Sequence, residues 1–213
     1  MTQILVLLLV FWIQEPAGDQ YKSTLAAVAA AERGEAEAQF NLAVMYRTGD
    51  GVAEDPVKAA AWYTKSAEQG YVRAQFNLGV LYLNGIGIGQ DFAKARDWFS
   101  KAVDQGDAAS QFNLGTMYAR GAGVSKDPVK ALKLLMEAAA QELPAAQYML
   151  GVMYCNGDGV PRDLVKAYMW ADLAIKAGES EAFNLRRFVE KQMTSAQIKD
   201  AQRLSGEWKP GAR

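Results

Sequence analysis

Residues 74–78 read Ala74-Gln75-Phe76-Asn77-Leu78, and the phrase returns as Ala38-Gln39-Phe40-Asn41-Leu42, Ser110-Gln111-Phe112-Asn113-Leu114 and Ala146-Gln147-Tyr148-Met149-Leu150. Successive copies lie 36 residues apart, and Tyr46, Tyr82, Tyr118 and Tyr154 keep the same step. A period held without slippage belongs to supersecondary units that bury their apolar faces only against neighbours. Stacks of this kind present a long surface rather than a closed catalytic pocket. The repeat therefore points to a binder and leaves the ligand unnamed.

The unit at residues 35–70 shows how each copy is built. Ala38, Leu42, Met45 and Tyr46 fall at i, i+4, i+7 and i+8, which predicts a first helix, A, over 36–48. Gly49 and Gly51 supply left-handed positions after it, and the pair recurs as Gly85/Gly87, Gly121/Gly123 and Gly157/Gly159. Asp55-Pro56 then opens a second helix, B, with a side-chain cap and a proline where the missing N–H costs nothing. Asp127-Pro128 repeats that device, while Asp91 and Asp163 keep the cap alone. Helix B carries its apolar face on Ala59, Trp62, Tyr63, Ser66 and Ala67, with Trp62, Trp98 and Trp170 expected in the core. Gly70, Gly106 and Gly178 close their units, and Glu142 stands at that place in the third, a poorer left-handed residue.

The same register divides the whole chain. Residues 35–70, 71–106, 107–142 and 143–178 are complete units, and 19–34 is a lone helix B. In 179–213, Ala182, Leu185 and Phe188 suggest a degenerate A helix. Thr194 and Gln197 form a capping box for a final helix bearing Ile198, Ala201, Leu204 and Trp208. Departures from the consensus suit end caps, whose outer faces meet water. The predicted fold is an all-α solenoid.

Composition narrows the chemistry. The 213 residues are half apolar, with a net charge of −1, so no basic field exists to hold nucleic acid or an anionic membrane. Residues 35–70 carry six acids and three bases, whereas 179–213 carry seven bases and five acids; such gradients read as solvated faces. There is no histidine and one cysteine, Cys155, which removes Cys/His zinc sites, histidine triads and internal disulfides, and no metal or cofactor is expected. The run Ile4-Leu5-Val6-Leu7-Leu8-Leu9-Val10-Phe11-Trp12-Ile13 is too short to span a bilayer and has the length of a signal-peptide apolar region. It predicts an export signal over residues 1–17, hence a periplasmic or secreted protein without a stable span once the signal is gone. The competing reading is a hydrophobic first helix capping the stack of a cytoplasmic protein.

The phrase Ala-x-x-x-Leu-Gly-x-x-Tyr-x-x-Gly-x-Gly-Val-x-x-Asp-x-x-Lys-Ala, with an aromatic and Ala-Ala before a closing glycine, resembles the Sel-one-like repeat, a relative of the tetratricopeptide repeat. The likeness covers about residues 19–190. It implies adaptor and scaffold roles, with a protein or peptide as partner, held on the concave face. Some cysteine-rich secreted members are associated with β-lactam binding or hydrolysis, each repeat stapled by a disulfide; a single cysteine departs from that pattern. An envelope enzyme or a β-lactam- or peptidoglycan-binding protein is the alternative function.

Asn41, Asn77 and Asn113 share one position of helix A, where an amide that both donates and accepts suits a peptide backbone. The structural alternative is a bond from each asparagine to a carbonyl of the neighbouring loop. Met149 breaks the row in the fourth unit. Phe40, Phe76, Phe112 and Tyr148 form a second row, read either as ligand-stacking surfaces or as core between repeats. Lys58, Lys94, Lys130 and Lys166 form a third, read as a solvated face or as contacts to loop carbonyls. The glycine loops lack the context of a dinucleotide fingerprint and the spacing of a calcium loop.

Overall fold

The computed structural model describes residues 18–211 of the chain. The predicted export signal at 1–17 lies outside the described residues. Those residues form α1 (Gly18–Glu32), α2 (Ala36–Thr48), α3 (Pro56–Glu68), α4 (Val72–Asn84), α5 (Phe92–Val103), α6 (Ala108–Arg120), α7 (Pro128–Ala140), α8 (Pro144–Asn156), α9 (Leu164–Lys176), α10 (Ala182–Glu190) and α11 (Ser195–Glu207). The A helices α2, α4, α6 and α8 each pack on the B helix that follows, and each B helix packs on the next A helix. The lone B helix α1 joins the same series by packing on α2.

Local chemistry sets each boundary. The Asp55 side chain accepts the N–H groups of Val57 and Lys58, and Asp91, Asp127 and Asp163 accept those of Lys94, Lys130 and Lys166. Each A helix ends on a left-handed glycine at φ between 70° and 81°. The loop is tied down when the N–H of Asp55, Asp91, Asp127 or Asp163 donates to the carbonyl of Tyr46, Tyr82, Tyr118 or Tyr154. The second glycine of each loop meets the preceding repeat. A Cβ on Gly87 would stand 2.0 Å from the Pro56 carbonyl oxygen, one on Gly123 2.2 Å from the Phe92 Cβ, and one on Gly159 2.7 Å from the Pro128 carbonyl oxygen. Only a residue without a side chain fits there.

Inside the pairs, a small residue on helix A receives a large one from helix B. Gly79 faces the Phe99 ring and Gly115 faces Leu135, in each case too close for an added Cβ to fit without displacement. In the fourth repeat the matching B residue is Ala171, and Leu185 of α10 fills the space over Gly151 instead. The C-terminal segment thus plugs the last hole of the array.

Helix α11 does not extend the stack; it folds back on α9, as α10 does. Asp172 of α9 joins the three helices. Its carboxylate lies 2.8 Å from Lys176 Nζ, 2.8 Å from an Arg186 guanidinium nitrogen on α10 and 2.7 Å from the Ser205 hydroxyl on α11. The expected A-type face of α10 is corrected in one respect. Ala182 is buried and Leu185 half-buried, but Phe188 is 57% exposed, because Val189 takes the inward position. The capping box of Thr194 and Gln197 is present.

Glu142 has φ 61°, the one positive-φ residue other than glycine among the described residues. Glu142→Gly should raise stability by about 1 kcal/mol, the left-handed strain relieved less the added freedom of the unfolded chain, as read by urea denaturation. Asp172 supplies an acid-sensitive latch. Burial opposes its charge, but the hydrogen bonds from Lys176, Ser205 and Arg186 prevail and hold its pKa below the ordinary 3.8. A folded-state pKa below the unfolded one gives stability that is complete above that ordinary value and drains away as pH falls through the lowered one. Hydrogen exchange should therefore show α10 and α11 loosening below about pH 4. Asp172→Asn should remove that acid step while lowering neutral-pH stability by about 1–3 kcal/mol.

Candidate binding surface

The strongest polar ladder is made of glutamines. Gln69 Nε2 donates to Gln39 Oε1 at 2.7 Å, Gln105 to Gln75 at 2.8 Å and Gln141 to Gln111 at 2.9 Å, each joining the end of a B helix to the A helix before it. The same nitrogens of Gln105 and Gln141 reach the Gly70 and Gly106 carbonyls one repeat back, at 3.1 and 3.0 Å. Gln39 and Gln75 in turn donate to the carbonyls of Ala31 and Ala67 on the previous B helix. In the fourth repeat Ala177 stands where the donor should be, and the buried Gln147 Oε1 has no partner. In the sequence this glutamine marks the phase of the repeat. A polar residue held without change on the margin of an apolar stripe was the signal for its role.

The asparagine row has a different fate. Asn77 and Asn113 donate at 2.8 Å to the Arg73 and Ala109 carbonyls, one turn earlier on their own helices. Asn41 is exposed at the equivalent place. The expected alternative, a bond to the neighbouring loop, is not what the asparagines make; the glutamines hold the repeats together.

The aromatic row is mostly core. Phe40 is 4% exposed, with Tyr63 and Tyr71 centred 5.7 and 5.3 Å away and the Arg73 guanidinium 4.7 Å from its centroid, so its ring is not an open stacking face. Phe76 is half-buried beside Phe99, and Phe112 packs half-buried against the apolar cluster around Leu135 and Leu150. Tyr148 is half-buried as well. The lysine row is a repeated trio rather than a free face. Lys58, Lys94, Lys130 and Lys166 pair with the capping aspartates at 3.3 to 3.7 Å, and each ammonium sits 5.2 to 5.3 Å from the ring centre of Tyr46, Tyr82, Tyr118 or Tyr154. Backbone N–H donation from Lys58 and Lys94, with their ammonium groups, holds the Asp55 and Asp91 carboxyls below the usual range against a smaller desolvation cost.

The tryptophans correct the sequence reading. Trp62 and Trp98 do pack against the apolar core but are only half-buried, and Lys65 and Lys101 place their ammonium groups 3.8 and 3.9 Å over the rings. Trp170 alone of the row is buried, at 4%, because Trp208 from the end of α11 meets it edge-on with ring centres 5.9 Å apart. Beside this pair lies a cavity of about 750 Å³ bordered by α7, Trp170 and the tail after α11. Cys155 is buried at 6%, which shields its sulfur from a second chain.

These two amides, two residues apart on α4, should separate by melting. Gln75→Ala removes bonds that cross between elements and should cost about 1–3 kcal/mol. Asn77→Ala deletes only a bond within one helix turn and should leave the melting temperature within about a degree or two of the parent.

The Sel1 repeat family model matches residues 36–71, 72–107, 108–143 and 144–179. A Sel1 repeat protein from Oxalobacter formigenes superposes with a TM-score of 0.77 at 30% identity, over 86% of this chain and 76% of that one. The Escherichia coli protein c5321, described as a protective antigen of uropathogenic strains with an SLR fold, gives 0.58 at 33% identity, over 87% of this chain and 48% of its own. A Klebsiella pneumoniae protein described as a putative sel1 repeat protein gives 0.51 at 23% identity, over 81% of this chain and 86% of that one, a likeness of fold alone. No relative is found among curated proteins. With four matched repeats covering most of its length, the chain belongs to the Sel1 repeat family.

Proposed function

We propose that the chain is a non-enzymatic scaffold that holds an extended protein or peptide segment along the concave row of A helices. The observation that carries this reading is the state of the asparagines. Since the glutamines tie the repeats together, Asn77 and Asn113 spend one amide hydrogen on their own helix, and their carbonyl oxygens accept no bond among the described residues. Each is therefore equipped to accept from a peptide N–H and to donate its second hydrogen to a peptide carbonyl. Among the described residues no helix is long and apolar enough to cross a membrane. The apolar run at 4–13 supports action outside the cytoplasm, in the periplasm or beyond the cell.

Crosslinking capture from the native host identifies the partner, and an exclusively cytoplasmic set would remove the export assignment. Asn77→Ala should then weaken that partner by up to about tenfold, the value of one hydrogen bond of about 0.5–1.5 kcal/mol, with the melting temperature unchanged. Unchanged affinity would take the asparagine row out of the site. Turnover of a chromogenic β-lactam that survives repurification would replace the scaffold reading with an enzymatic one.

A further inference from the structure

The tryptophan row of the B helices is filled differently along the array. In the first two repeats the residue three positions after the tryptophan is Lys65 or Lys101, and its ammonium covers the ring. In the fourth repeat that position is Leu173, so Trp170 has no cation of its own helix upon it. In the third repeat the lysine position holds Glu137, which reverses the charge. The chain then adds a second indole, Trp208, from its C-terminal tail. Trp170, Trp208, Glu137, Gln141 and Met136 border one cavity of about 750 Å³. Gln111 Nε2 lies 3.4 Å from Glu137 Oε2 and Gln141 Nε2 is bonded to Gln111 Oε1, so the carboxylate is positioned by the glutamine ladder. Lys209 stands on the rim, but among the described residues it makes no ion pair with Glu137.

We propose that this cavity is a receptor for a lysine or arginine side chain of a bound peptide, its cation set against the half-buried Trp208 ring, which lies edge-on over the buried Trp170, and paired with Glu137. The inference deepens the scaffold reading by naming a side chain that the partner carries. Charge complementarity supports it, and so do the internal precedents at Trp62 and Trp98. Those rings already receive an ammonium from the chain itself, and the receptor withholds that ammonium while supplying an acid and a second ring. A cation over an indole is favoured by the ring quadrupole, and more so in a partly desolvated site. The cavity is large enough for the whole side chain with its methylenes against Met136.

The full chain is titrated with Nα-acetyl-lysine amide, Nα-acetyl-arginine amide and, as the uncharged isostere, Nα-acetyl-norleucine amide, following the indole N–H resonances. The expected result is a saturable shift of Trp170 and Trp208 with either basic probe and none at Trp62 or Trp98. Norleucine should bind roughly fivefold more weakly or worse. Glu137→Gln should weaken the basic probes about as much with its melting temperature intact, and Trp208→Phe, which keeps an aromatic clasp on α9, should retain binding that Trp208→Ala loses. Equal response to norleucine, indifference to Glu137→Gln, or matching shifts at Trp62 and Trp98 would overturn the proposal. A chain that ignores the probes yet still captures its partner through Asn77 loses this receptor alone. A chain that binds them and captures no partner keeps the receptor and loses the scaffold reading.

Discussion

The array depends on the close approach of each loop glycine to the first turn of the preceding B helix. Gly87 lies over Pro56, Gly123 over Phe92 and Gly159 over Pro128, with backbone or Cβ atoms nearer than any side chain permits. That contact fixes the separation of successive repeats at the loop end, while the Asp N–H to Tyr carbonyl bond fixes the loop itself. Once both are set, the far ends of the helices arrive in one geometry. This is why Gln69–Gln39, Gln105–Gln75 and Gln141–Gln111 make the same bond within 0.2 Å. A change at a loop glycine would therefore propagate to neighbouring interfaces, as nearest-neighbour coupling in a one-dimensional stack requires.

Much of this was legible in the sequence because each signal was local and repeated. The helix periods, the aspartate caps, the paired glycines and the misplaced Glu142 each concern a few consecutive residues, and repetition removed the ambiguity of a single instance. What escaped was set by tertiary packing. Trp62 and Trp98 sit at the centre of an apolar face on a helical wheel, yet they pack only half-buried on the margin of the core, and lysines from the same helix lie over their rings. Trp170 is buried only because α11 turns back, a fold-back that the register of the repeats does not encode. The period of the repeats points Phe188 inward, but in this segment Val189 takes the buried position and Arg186 turns to Asp172.

The asparagine and glutamine rows show the limit of reading polar residues from spacing alone. Both lie beside the same apolar stripe, two positions apart, and both recur at 36 residues. Only the glutamine has the extra methylene needed to span from helix A to the neighbouring B helices, whereas the shorter asparagine falls back on the carbonyl one turn behind. Reach, rather than polarity, assigns one to the stack and releases the other.

In an array whose units share one pattern, what distinguishes one place on the surface from another is where equivalent positions disagree. The lysine row is the same in all four repeats and closes a trio with tyrosine and aspartate, so it carries no information that distinguishes one place on the surface from another. The position three residues after the tryptophan reads Lys65, Lys101, Glu137 and Leu173, and the glutamine that ends helix B becomes Ala177 in the last unit. Both breaks fall in repeats three and four, beside the tail and its cavity. In the last repeat Gln147 Oε1 is left without a hydrogen-bond partner among the described residues, and Trp208 covers Trp170 where the first two repeats use a lysine of their own helix. The uniform ladder ends where the C-terminal segment supplies different chemistry.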